Sequence, residues 1–70
     1  MKNQWIENAD GDALVNADKI YTIAVEKHES PLKLPWEVIA YLDDCREYYE
    51  ILGRFKDESG AKALLQMIVN

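Results

Sequence analysis

The chain has 70 residues, enough for one domain and close to the lower size at which a single hydrophobic core holds a fold. It is 49% hydrophobic and carries 13 acidic against 8 basic residues, a net charge of −5, which argues against direct binding to nucleic acid or to an anionic membrane. One cysteine, Cys45, and one histidine, His28, exclude an intramolecular disulfide and a structural zinc site, so ordinary side chains or a second subunit must supply the buried area.

In chain order, Gln4 to Ile6 is a short Trp-centred segment, and Asn8-Ala9-Asp10-Gly11-Asp12 supplies a turn, since Asp-Gly is a favoured hairpin dipeptide. Ala13-Leu14-Val15 reads as a short strand closed by Asn16 to Lys19. Ile20 to Val25 is the first clear strand, rich in β-branched and aromatic residues. His28 to Pro35 holds both prolines and reads as a loop; Trp36 to Leu42 is the second strong strand. The polar cluster Asp43-Asp44-Cys45-Arg46-Glu47 makes a tight connection to the third, Tyr48 to Phe55. Short polar connections of this kind predict an antiparallel meander. The hydrophobic period then changes from two to about 3.6 across Lys56-Asp57-Glu58. Asp57 is the expected N-cap, Glu58 sits in the first turn, and Ala61, Leu64, Leu65 and Ile68 form one apolar stripe.

These elements predict one α+β domain over residues 1–70: an antiparallel sheet of four to five strands with one C-terminal helix packed on one face. The expected core is Ile23, Val25, Val38, Ile51, Leu52, Phe55, Leu64, Leu65 and Ile68, with Trp5 and Trp36 near its edge. Which strand face turns inward stays open by one register. Both faces of the strands carry apolar groups, because Trp36, Val38, Ala40 and Leu42 alternate with Glu37, Ile39 and Tyr41. One short helix covers only one of them. Either another subunit or a partner shields part of the second face, or aromatic rings lie flat on a solvated surface.

The chemical motifs are weak. Aligning Gly11 with the sixth position of an EF-hand loop puts Ile6 and Ala17 where the ligands Asp and Glu belong, so the segment reads as a hairpin turn and no metal is expected. Nothing places Cys45 beside His28, and acidic neighbours surround the thiol, so no catalytic dyad is expected. Gly11, Gly53 and Gly60 are isolated and make no phosphate loop, and no cofactor is expected; Gly53 marks a bulge or a close backbone approach. Asp43, Asp44, Glu47 and Glu50 form the densest acidic group. The segment after Met1 resembles no signal peptide and no apolar run reaches transmembrane length; with the unpaired Cys45 this predicts a cytoplasmic protein.

The segment Trp5-Ile6-Glu7-Asn8-Ala9-Asp10-Gly11-Asp12-Ala13-Leu14-Val15-Asn16, an Ile/Tyr-rich strand, then Tyr49-Glu50-Ile51-Leu52-Gly53-Arg54-Phe55 and an Ala/Lys-containing helix together resemble small uncharacterised phage- and prophage-encoded proteins of Gram-positive bacteria. The resemblance implies a phage accessory context within the bacterial host and a sheet-plus-helix fold, and it carries no catalytic residue. The expected function is a non-enzymatic accessory protein that self-associates or docks on a protein partner. Trp36, Tyr41, Tyr48, Asp43, Asp44 and Glu47 are the expected interaction residues. The alternative is an acidic inhibitor that mimics nucleic acid and blocks a DNA-binding protein through the same acidic group.

Overall fold

The computed structural model describes residues 5–28 and 33–69. Strands β1 (Trp5–Glu7) and β2 (Leu14–Asn16) form an antiparallel hairpin, and a 3₁₀ turn (Ala17–Lys19) leads into β3 (Thr22–Lys27). Strands β4 (Trp36–Tyr41) and β5 (Tyr49–Phe55) complete a three-stranded antiparallel meander in the order β3-β4-β5, and helix α1 (Glu58–Val69) closes the chain. The α+β class and the five strands are those expected. The strands divide into two sheets, however, rather than forming one. The Ala9 N–H donates to the Ile51 carbonyl at 2.7 Å, tying the hairpin turn to β5. Gln4, residues 29–32 of the proline-containing loop and Asn70 lie outside the described residues.

The first turn is organised by one side chain. Asn8 Oδ1 accepts from the backbone N–H groups of Asp12 and Ala13, while its Nδ2 donates to Asp12 and, across the molecule, to Glu50. Gly11 takes φ of +73°, a region that L side chains rarely adopt, which is why Asp-Gly works here. Within this loop the Asp12 carboxylate thus accepts from Asn8 and helps to hold the hairpin turn. Asp57 caps α1 as expected: its Oδ1 accepts from the Gly60 N–H and the Ser59 hydroxyl, both at 3.0 Å. Those two bonds hold its carboxyl below the usual carboxylate range.

The helix and the hairpin share one face of the β3–β5 sheet. Val15, Val38, Ala40, Leu52, Ala61 and Ile68 form the buried cluster, flanked by Ile6, Ile23, Val25, Trp36, Phe55 and Leu64. Three expectations about the core need correction. Trp5 lies on the outer face of the hairpin and is exposed, because the antiparallel pairing gives the inward position to Ile6 and Val15. Leu65 is only half-buried, beside Ile20 and Tyr21 at the edge of the core. Ile51 is on the opposite face of the sheet.

The cause of that last displacement is a β-bulge. Val38 pairs with Gly53 but Ile39 pairs with Ile51, so Leu52 has no partner on β4. Leu52 is buried in the helix-side cluster, and an added Cβ on Gly53 would also meet helix-side atoms, Leu64 Cδ2 and Phe55 Cε1, each at 2.8 Å. Two consecutive residues thus turn inward, and every residue before them in β5 changes face.

Candidate functional site

No secondary-structure element among the described residues covers the second face of the β3–β5 sheet. Strand register arranges it in three rows running across β3, β4 and β5: Glu26, Glu37 and Arg54; then Ala24, Ile39 and Ile51; then Thr22, Tyr41 and Tyr49. His28, Glu37, Ile39, Tyr41, Arg46, Tyr49 and Ile51 line a concavity of about 440 Å³ on this face.

The first row places two carboxylates directly opposite each other, an arrangement that destabilises a sheet unless neutralised. Three neighbours provide partners. Arg54 reaches Glu37 at 3.5 Å and Asp10 of the hairpin turn at 3.1 Å. His28 Nε2 lies 3.2 Å from Glu26 and 3.6 Å from Glu37. The Tyr41 hydroxyl donates to Glu26. To reach Glu26 from two rows away, Tyr41 spans the aliphatic row, where Ala24 offers only a methyl group. Its ring therefore lies along the sheet, which accounts for Ile39 being 4% exposed and Tyr41 8% on a face without a covering element. The hydrogen bond to Glu26, then burial, raise the Tyr41 phenol above its ordinary value.

Arg46 completes this cover. Its guanidinium carbon stands 4.8 Å from the centre of the Tyr41 ring, within cation–π range, and Tyr49 packs against the same ring with centroids 6.1 Å apart. Arg46 comes from the β4–β5 connection, where Asp43 Oδ1 accepts from the backbone N–H groups of Glu47 and Tyr48 and the Leu42 N–H donates to the Tyr48 carbonyl. Within that turn Arg46 takes φ of +59°, an uncommon conformation for a residue with a side chain.

The residues singled out from sequence are thereby separated. Tyr41 belongs to this face. Trp36 lies on the helix side, half-buried, with Lys27 Nζ 5.8 Å from its ring. Asp43 spends one carboxylate oxygen on the turn; Asp44, Glu47 and Tyr48 are exposed around it. Cys45 lies in the same turn, whereas the His28 N–H donates to the Pro35 carbonyl at the other end of β4, roughly 20 Å away by strand rise. Among the described residues, no group of three or more His, Cys, Asp or Glu side chains is arranged to hold a metal ion, and no helix is long and apolar enough to cross a membrane.

Sequence reasoning missed Glu26, Glu37, Arg54, Tyr49 and Arg46 as members of one surface. The alternation Glu37-Ile39-Tyr41 was a usable signal for β4. The partners on β3 and β5 required the pairing register, and on β5 the bulge hides it. A comparison with protein-family models finds no match, nor do comparisons with curated proteins and with solved structures.

Proposed function

We propose that this protein is a non-enzymatic interaction module that docks a protein partner on the uncovered face of its three-stranded sheet, acting in the cytoplasm as a phage-related accessory protein. The observation that carries the reading is the contrast between the two faces. One is sealed by a helix and a hairpin. The other has no covering element among the described residues: the Tyr41 ring lies over Ile39, Ile51 is half-buried, Tyr49 is exposed, and a single loop arginine rests on the Tyr41 ring.

The footprint favours a segment of a partner over a second copy. Three strands at about 4.8 Å spacing and six or seven residues at about 3.3 Å rise cover on the order of 300 Å². A stable dimer buries about 800 Å² on each side. Self-association through this face alone would be weak, whereas a short peptide segment fits it.

The test compares Tyr49→Ser and Ile51→Thr on the open face with Trp5→Ser and Leu14→Ser on the outer face of the hairpin. All four are checked for unchanged helix content, then assayed by affinity capture and by sedimentation over a wide concentration range. The open-face pair is expected to lose the captured partner and the hairpin pair to keep it. The opposite pattern refutes the proposal, and a robust dimer that survives the open-face changes places the interface elsewhere.

A further inference from the structure

We infer that the open face is a receptor for a guanidinium or ammonium group presented by a partner segment, and that Arg46 occupies that place in the free protein. The inference rests on the docking face proposed above and adds the chemistry of what docks.

The place already holds a cation. The Arg46 guanidinium sits on the negative face of the Tyr41 ring, and Tyr49 walls one side. Among the described residues no carboxylate lies within ion-pair distance of Arg46, so the ring is its main attachment. A cation–π contact at an exposed site is weak, and it can be exchanged for an equivalent contact from another chain.

Charge points the same way. Asp10, Glu26 and Glu37 form one connected group whose only permanent cation among the described residues is Arg54, three carboxylates against one arginine. His28 adds a positive charge only when protonated. Without Arg46 the face is left with an acidic excess of two, beside two tyrosine rings and an aliphatic floor. This combination attracts a cation that also carries methylene groups, as arginine and lysine do. The overall charge of −5 steers such a partner toward the protein.

The loop geometry suits exchange. Arg46 is exposed and sits at positive φ in a turn held by Asp43, whose bonds go to Glu47 and Tyr48. Arg46 can therefore swing off the ring by side-chain rotation while the turn keeps its hydrogen bonds.

The test is an NMR titration of the ¹⁵N-labelled protein with N-acetyl-arginine amide, using N-acetyl-citrulline amide as the neutral isostere. Arg46→Gln removes the resident cation and leaves the turn-forming residues in place. It is expected to bind the arginine compound about tenfold more tightly than the unmodified protein, with shifts at Ile39, Tyr41 and Tyr49, and to ignore citrulline. Adding Glu37→Gln is expected to weaken the arginine response. The inference is overturned if Arg46→Gln, with unchanged helix and hairpin signals, shows no arginine-dependent shift at Tyr41, or responds equally to both compounds. If acetyl-Leu-Glu-Leu amide shifts the same signals more strongly, the face docks segments but the cationic assignment fails. If no probe and no increase in protein concentration moves any open-face signal, the docking proposal fails as well.

Discussion

Gly53 offers the sharpest test of the packing described above. Glycine inside a strand normally costs about 0.5–1 kcal/mol relative to alanine, so Gly53→Ala would stabilise an unconstrained strand. Here the new methyl carbon would stand 2.8 Å from both Leu64 Cδ2 and Phe55 Cε1. Leu64 is the free end of a flexible side chain and can rotate away. Phe55 is held from two sides, because a Cβ on Gly60 would meet its Cδ2 at 3.0 Å, so the ring lies between both glycines. Overpacking of this kind costs about 1–3 kcal/mol. Subtracting the backbone gain from the middle of that range leaves a net loss of about 1 kcal/mol, or roughly 4–8 °C in Tm for a chain of this size. Urea melts are expected to show a lower midpoint at an unchanged slope. Phe55→Leu in the same background should recover part of the loss, with a coupling of at least about 0.5 kcal/mol. A Gly53→Ala variant as stable as the parent, or strict additivity with Phe55→Leu, would refute this account of the helix–sheet contact.

Three further outcomes follow from other parts of the molecule. Val38→Ala removes the one large side chain that is wholly buried among the described residues and is expected to cost about 2 kcal/mol, read as a fall in thermal midpoint without loss of helix signal. Asp57→Ala should destabilise the protein at neutral pH by uncapping α1. Because the folded carboxyl is held below its unfolded value, that stabilisation is present above about pH 4 and fades as pH falls through the folded value. Melts of the two proteins should therefore converge in acid. Tyr41→Phe removes the hydroxyl bonded to Glu26 and is expected to cost about 1 kcal/mol. The folded phenol is raised, so this contribution is complete below about pH 10 and is lost as pH rises through the folded value. A phenolate absorbance titration of Tyr41→Phe against the parent checks it.

The elements that can be read from the chain are those whose signals are local. Asp-Gly at the hairpin, Asp57 before an apolar stripe, and β-branched runs between polar clusters each state their structure within a few residues. What could not be read is set by partners distant in sequence. Glu26 and Glu37 look like ordinary solvated charges until β3 and β4 are aligned, and Arg54 joins them only through β5. Tyr41 looked like an aromatic residue awaiting a cover. Its cover is its own posture, made possible by the small Ala24 on one strand and by Arg46 from the next loop. The separation of the five strands into two sheets was likewise hidden, since three-residue strands carry almost no periodicity.

The unpaired Leu52 has one last consequence. In β5 it works as a frame shift, setting the side-chain phase from Tyr49 through Ile51 against that of Gly53 through Phe55. Deleting this residue would repair the ladder, joining Gly53 opposite Val38 directly to Ile51 opposite Ile39, and would leave every other residue of β5 on its present face. Tyr49 and Ile51 would stay on the open face and Glu50 beside Asn8, while the helix-side cluster would lose the Leu52 side chain. The extra residue therefore adds a side chain to the interior without displacing the outward aromatic surface. A chain lacking Leu52 is expected to lose core packing while its open face keeps the same residues.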